Sequence, residues 1–173
     1  MIYEQNLRQL ESAHYDIYEK ISEPDFTWDE ERAQKEYAKN GEPVLIYILD
    51  DGSKEYLSSR YNPTREAEKY MEDSVDLPEK ATLVLIGFGN GAHIREFMTK
   101  STRDNTNCIV FEPSRDIFMR VLHDIAITDI LEDKRVHIVV NEINDEMAGI
   151  YADIYIYSEN QKTNKHISLP KYR

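Results

Sequence analysis

The chain has 173 residues, a mass of 20.4 kDa, and 33 acidic against 21 basic residues, giving a net charge of -12. A chain of this length is expected to form one domain with a small appendage. The acidic balance argues against a general nucleic-acid binder and against polybasic membrane attachment, since both need clustered lysine and arginine. No apolar run approaches the ~20 residues of a membrane-spanning helix. Charges throughout the first 20 residues argue against a signal peptide, so the sequence predicts a cytoplasmic protein.

The N-terminal segment is polar and acidic: residues 1–80 hold 20 of the 33 acidic residues but only 10 of the 21 basic ones. Apolar residues recur at spacings of three and four between residues 3 and 21, which predicts one amphipathic helix. Thr27 or Asp29 is a suitable cap for a second helix that ends at Asn40-Gly41.

A hairpin and a third helix are predicted next. The β-type runs at residues 44–49 and 54–57 are separated by an Asp-Gly pair, which is typical of a hairpin turn. Asn62 can cap the following helix, and Pro63 suits the first helical position, where its missing N–H costs nothing.

From residue 82 onwards, short apolar runs alternate with amphipathic stretches, which favours parallel strands joined by helices. Such runs are typical of strands covered on both faces. The predicted strands are residues 82–86, 108–111, 136–140 and 153–157. The polar tail, residues 158–173, suits a linker or an edge strand.

The most informative motif is the glycine turn at residues 86–93, Ile-Gly-Phe-Gly-Asn-Gly-Ala-His. It follows a strand and precedes a helix, where glycines allow a sharp turn and let a ligand approach backbone N–H groups. Helix N-termini also attract anions. The spacing differs from the G-x-G-x-x-G of dinucleotide enzymes and fits better the turn of methyltransferases that use S-adenosylmethionine. The predicted ligand-binding residues of the turn are Gly87, Phe88, Gly89, Asn90 and Gly91.

Glu112 is the second predicted binding residue, because it ends the next strand 21 residues after Gly91. An acid about 20 residues beyond such a turn commonly binds the ribose hydroxyls of a nucleoside. We therefore predict an α/β fold: a Rossmann-like, methyltransferase-like parallel sheet over residues 81–173, with an appendage of helices and a β-hairpin over residues 1–80. The alternative is that the glycines only make a tight turn and that Glu112 is a solvated strand end.

Other polar residues are weaker candidates. His93 lies in the first turn of the predicted helix and could touch a ligand, but a structural role is the simpler interpretation. The remaining histidines are scattered, so no metal site is predicted. Cys108 is the only cysteine, which excludes a disulfide framework, and its strand position predicts a small buried side chain.

Three motifs together resemble the N-terminal region of bacterial motility accessory factor (Maf) proteins. They are Asn62-Pro63-x-x-Glu66-Ala67, the glycine turn, and Phe111-Glu112-Pro113. The resemblance extends from about residue 56 to residue 172. It implies that this chain corresponds to an N-terminal domain, since a segment like Leu169-Pro170-Lys171-Tyr172 lies near the passage into that family's central domain.

Maf proteins are a group of flagellin-modifying glycosyltransferases. The family's activity, transfer of a nonulosonic (sialic-acid-like) sugar from a nucleotide donor to Ser or Thr of flagellin, is attributed to the central domain. The resemblance therefore implies no catalytic residue in this chain. It implies flagellin or a nucleotide sugar as the partner. The cofactor stays unknown from the sequence, and a nucleotide or S-adenosylmethionine is the candidate for the glycine-turn pocket.

The sequence is compatible with three functions. The first is an accessory or binding domain of a flagellin-glycosylation system, not catalytic alone. The second is a small S-adenosylmethionine-dependent methyltransferase, although the predicted sheet has four strands where such enzymes usually have about seven. The third is a protein-interaction module that uses the acidic N-terminal helices. The glycan, the acceptor and the oligomeric state are not specified by the sequence.

Overall fold

The computed structural model describes residues 1–72, 82–101, 106–147 and 149, together with the backbone of residues 164–168. The described helices are α1 (Ile2–Ala13), α2 (Tyr15–Ile21), α3 (Pro63–Glu72), α4 (Ala92–Lys100), α5 (Arg115–Asp124), α6 (Thr128–Glu132) and a 3-10 turn (Asp145–Met147). The described strands are β1 (Ala33–Tyr37), β2 (Pro43–Ile48), β3 (Lys54–Tyr56), β4 (Thr82–Ile86), β5 (Asn107–Glu112), β6 (Val136–Val140) and β7 (Asn164–Ser168).

The N-terminal helical segment is interrupted at His14. Its backbone leaves the helical region, with φ -139° and ψ 61°, so the prediction of one helix over residues 3–21 is wrong in this respect. The break has a tertiary cause, because Nε2 of His14 donates a hydrogen bond to the Leu131 carbonyl at 3.1 Å. Leu10 and Ile17, on either side of the break, are both fully buried, so the apolar stripe of the two helices is preserved.

β1, β2 and β3 form an antiparallel sheet in that order. The predicted hairpin is confirmed, since Ile46 of β2 pairs with Tyr56 of β3. The second predicted helix is wrong, because residues 33–37 form β1 and Ala33 pairs with Tyr47. The β1 residues are good helix formers, but intrinsic propensity is a weak prior that tertiary pairing readily overrides.

The second sheet is parallel throughout, with the strand order β6-β5-β4-β7. Among the described strands this is the order 3-2-1-4 found in Rossmann folds, in which the strand order reverses beside the first strand. The fold is therefore α/β with a Rossmann-like parallel sheet, as predicted. β4 pairs with β5 on one side and with β7 on the other. β7 falls within residues 158–173, for which a linker or an edge strand was predicted. The strand predicted at residues 153–157 lies outside the described residues.

One hydrophobic core extends through both predicted parts of the chain, from Leu10 and Leu45 to Leu85 and Phe118. The division into residues 1–80 and 81–173 stays a prediction. Among the residues that the structure describes, no helix combines the length and the apolar character needed to cross a membrane.

The side chain of Asn6 joins α1 to the α/β unit. Its Nδ2 donates to the carbonyls of Leu122 and Ile125 at 2.9 and 2.7 Å, and its Oδ1 accepts from the Ile127 amide at 3.0 Å. Asn6 is completely buried, and a buried amide needs such partners. Docking of α1 is therefore specified by polar contacts as well as by its apolar stripe.

Candidate functional site

The turn between β4 and α4 has the backbone conformation that its glycines allow. Gly87, Gly89 and Gly91 have φ values of 97°, 56° and 83°, in the left-handed region that other residues rarely adopt. A Cβ atom on Gly91 would lie 2.7 Å from Cδ1 of Ile130 in α6. The third glycine is therefore required both by its φ angle and by the close approach of α6.

Asn90 ties this turn to the N-terminal sheet. Its Oδ1 accepts a hydrogen bond from the Ala92 amide at 3.1 Å, and its Nδ2 donates to the carbonyl of Pro43 at 2.9 Å. Pro43 begins β2, so the antiparallel sheet is bonded directly to the turn. Residues 87–91 are all buried, which means that the turn is not an open loop.

Glu112 meets the glycine turn, as the sequence predicts. Its Oε2 accepts from the Phe88 amide at 2.7 Å, and its Oε1 accepts from the Ser114 amide at 2.9 Å. The side chain has no solvent exposure, so it is not a solvated strand end. Both carboxylate oxygens hold backbone N–H groups, which makes Glu112 a brace between β5, the turn and the start of α5.

A cleft of about 490 Å³ lies at the carboxyl edge of the parallel sheet, next to Glu112. One wall comes from residues that follow β5 and β6, and the opposite wall comes from the end of β2 and nearby loops. The lining residues are Arg32, Tyr47, Leu49, Asp50, Pro113, Ser114, Arg115, Asp116, Asn141 and Glu142. None of the six predicted binding residues is among them.

Glu142 is the strained residue of the cleft. It has φ 63°, the left-handed conformation that costs a non-glycine residue about 1–3 kcal/mol. Its carboxylate lies 3.2 Å from the guanidinium of Arg115, and the Asn141 amide donates to the Glu112 carbonyl at 3.0 Å. The polar pair Asn141-Glu142 directly after an apolar strand is the sequence signal that could have located this wall.

The other wall carries a second ion pair. Arg32 lies 2.6 Å from a carboxylate oxygen of Asp50. The loop before β1 is also bonded to α5, because Oδ1 of Asp116 accepts from the Asp29 amide at 2.8 Å. Charged groups of both signs therefore line the cleft, together with the apolar surfaces of Leu49 and Pro113.

Residues 87–91 and Glu112 are buried beside the cleft rather than part of its lining, and the other predicted candidates also lie inside the protein. His93 is 4% exposed, and its ring lies 5.7 Å from that of Tyr70 in α3. Cys108 is fully buried, as predicted, and burial is the main cause that raises the pKa of its thiol far above the usual range. In the described part of the chain, no group of three or more His, Cys, Asp or Glu side chains is placed to hold a metal ion.

Comparisons with known proteins give similarity to solved structures alone. No protein-family model and no curated protein matches the chain. Spermidine synthase from Thermotoga maritima matches with 15% identity, over 71% of this chain and 52% of that one, at a TM-score of 0.42. MNMC2 from Aquifex aeolicus matches with 13% identity, over 82% of this chain and 51% of that one, at a TM-score of 0.44.

A protein-L-isoaspartate O-methyltransferase has 18% identity, over 81% of this chain and 42% of that one, at a TM-score of 0.38. The chain thus spans about half the length of the solved proteins that it matches. These similarities assign no activity to it.

Proposed function

We propose that this chain is a nucleoside-binding domain, and that its ligand occupies the cleft at the carboxyl edge of the parallel sheet. S-adenosylmethionine is the ligand class that we place first. The observation that carries the proposal is the adjacency of three features: the glycine turn, the buried acid Glu112 and the cleft that begins at Pro113.

The position of the cleft supports a nucleoside. In open α/β sheets, ligands bind outside the carboxyl ends of the strands, near the point where the strand order reverses. Here the residues that follow β5 and β6, Pro113 to Asp116 and Asn141 to Glu142, line the cleft at that edge of the sheet. A volume of about 490 Å³ lies within the ~300–1,000 Å³ typical of small-molecule sites.

The chemistry of the cleft suits a planar base and a ribose. Pro113 and Leu49 offer apolar surface for the faces of a base, while Ser114 and Asn141 offer hydrogen-bonding groups for its edge. We keep the prediction that a hydroxyl pair lies near Glu112.

Binding, rather than turnover by this chain alone, is the activity that we propose. No side chain in the cleft has the arrangement of a nucleophile with a base, and the carboxylates described there are engaged in ion pairs or backbone hydrogen bonds. Neither methyl transfer nor sugar transfer by the purified chain is expected.

A second candidate is the accessory role in flagellin glycosylation. It is supported by the motifs that resemble Maf proteins, namely Asn62-Pro63, the glycine turn and Phe111-Glu112-Pro113. Under this assignment the nucleoside belongs to a nucleotide sugar. The two candidates share a site and differ in what is attached to the nucleoside.

Calorimetric titration with S-adenosylmethionine, S-adenosylhomocysteine, adenosine and UDP-glucose tests the proposal. We expect binding of at least one compound, and a roughly tenfold weaker affinity for Arg115→Gln and Asn141→Ala, the effect of losing about 1.4 kcal/mol. Lys134→Gln, an exposed change outside the cleft, should bind like the wild type. Absence of binding by all four compounds, or equal affinity of all variants, would reject the proposed site.

A further inference from the structure

We propose that a second cleft, formed by α3 and the loop before it, binds a small molecule that carries both an acidic group and a ring. This site is separate from the carboxyl-edge cleft and does not depend on the proposed function. The cleft has a volume of about 620 Å³. Its lining combines two cations, Arg65 and Lys69, with two tyrosines, Tyr61 and Tyr70.

The two cations are the first reason for an acidic ligand. Arg65 and Lys69 are four residues apart on α3, so their side chains project from the same face of the helix. Most other lysines and arginines in the described ranges form ion pairs. The side chains of Arg65 and Lys69 make no ion pair, hydrogen bond or ring contact with another described residue.

The two cations also repel each other, because they are like charges at positions i and i+4 of a helix. Glu66, Glu68 and Glu72 of α3 lie three residues from one cation or the other, and none of them is within ion-pair distance of Arg65 or Lys69. An anion placed between the guanidinium and the ammonium would remove the repulsion. Arginine binds carboxylate and phosphate through paired hydrogen bonds, and lysine adds a point charge.

Several acceptors of the cleft hold the loop before α3, which is the second reason. Oε2 of Glu66 accepts from the Ser59 amide at 2.8 Å, and Oδ1 of Asn62 accepts from the Arg65 amide at 2.8 Å. Oγ of Ser59 accepts from the Tyr61 and Asn62 amides, both at 3.2 Å. These contacts shape the loop and leave the donors of the two cations for a ligand.

The tyrosines are the reason for a ring. The Tyr61 side chain is 65% exposed, and the ammonium of Lys39 lies 4.5 Å from its ring centroid. At the other end of the cleft, the Tyr70 ring packs near His93 of α4. Both tyrosines line the cleft together with the two cations, a combination that suits a ring compound bearing a phosphate or a carboxylate.

The test uses ring compounds of matched size, phenyl phosphate and benzoate, with neutral benzyl alcohol as the uncharged control. Binding to the isotope-labelled full chain is followed by NMR chemical-shift changes. We expect shifts centred on α3 for at least one anion, and an affinity at least about tenfold weaker for benzyl alcohol. The tighter anion then identifies phosphate or carboxylate as the acidic group. Equal affinity for benzyl alcohol would overturn the proposal.

The variants Arg65→Gln and Lys69→Gln distinguish binding at this cleft from a general effect of the protein's net charge. Each should weaken binding of the preferred anion by about tenfold or more, and neither should lower the melting temperature, because neither side chain has an ion pair or hydrogen bond with another described residue to lose. Lys134→Gln has the same change of net charge and should bind like the wild type. Arg115→Gln, in the other cleft, should also leave this binding unchanged. Wild-type affinity in both α3 variants, or no α3-centred shift with either anion, would refute the site.

Discussion

The carboxylate of Glu112 accepts a hydrogen bond from the backbone amide of Phe88 at 2.7 Å. This contact joins the last residue of β5 to the second residue of the glycine turn after β4. With the second bond, from the Ser114 amide, one buried side chain fixes two consecutive strand-to-helix connections. The acid therefore determines the shape of the candidate site even before any ligand is considered.

Replacement of Glu112 by Gln tests this brace. The amide has one oxygen where the carboxylate has two, so either the Phe88 or the Ser114 amide loses its acceptor while buried. We expect the free energy of unfolding to fall by about 2–3 kcal/mol, measured by urea denaturation. Glu11→Gln, an exposed change on α1, should stay within ~0.5 kcal/mol; equal stability of the two variants would contradict the brace.

Gly91→Ala and Gly52→Ala form a matched pair. Both glycines have positive φ, 83° and 78°, so alanine is strained at either position. Only at Gly91 does the new Cβ meet another atom, Cδ1 of Ile130 at 2.7 Å, whereas the space around Gly52 is open. We expect a loss of about 1 kcal/mol at Gly52 and about 2–4 kcal/mol at Gly91, compared by thermal unfolding. Similar losses of stability in the two variants would show that Ile130 of α6 moves aside without an energetic penalty.

Asn6→Ala should be strongly destabilising. It removes three hydrogen bonds and leaves the Leu122 and Ile125 carbonyls and the Ile127 amide without this partner. We expect a loss of about 2–4 kcal/mol in the free energy of unfolding. Gln5→Ala, on the exposed face of the same helix, is the control and should be nearly neutral. Chemical denaturation of both variants decides the matter, and a neutral Asn6→Ala would contradict polar docking of α1.

Acidification should destabilise the fold through two half-buried histidines, His14 and His137. Burial is the main cause that lowers the pKa of His14 and of His137 below the ordinary value of 6.5. The folded state therefore binds fewer protons than the unfolded state near that pH. Stability should be full above about pH 7 and should fall as the pH drops through 6.5, because protons then favour the unfolded chain.

Urea denaturation at pH 7.5, 6.5 and 5.5 measures this dependence. In His14→Asn and His137→Asn the slope of stability against pH should be smaller than in the wild type, since each variant lacks one titrating group. A slope that is unchanged in both variants would exclude these histidines as its source.

The parallel sheet was largely predictable because its strands are marked locally. Thr82–Ile86 and Val136–Val140 are apolar runs with polar neighbours, and the observed strands have these same bounds. The meeting of Glu112 with the glycine turn also followed from sequence, since adjacent parallel strands end at one edge of a sheet.

β1 could not be predicted because its conformation is decided outside its own residues. Ala33–Tyr37 has a helix-forming composition, and only pairing with β2 makes it a strand. The break at His14 has the same origin, since its hydrogen-bond partner, Leu131, is 117 residues away. Local patterns carry no information on such partners.

The lining of the carboxyl-edge cleft was missed for a related reason. Arg32 and Asp50 flank strands of the antiparallel sheet, whereas Arg115 and Glu142 follow strands of the parallel one. Only docking of the two sheets brings these ion pairs to opposite walls. The partners of each ion pair are far apart in sequence, so no periodic pattern could have predicted these pairs.

The contact between Asn6 and Ile127 has a consequence for synthesis of the chain. The two residues are 121 positions apart, and at ~5–20 residues per second the ribosome needs about 6–24 s to bridge them. During that interval α1 lacks the loop to which Asn6 binds, and the apolar side chains of α1 are not yet buried by the rest of the fold. Completion of the nascent fold is thus timed by the appearance of the segment after α5, so a translational pause before residue 127 should prolong the exposure of α1.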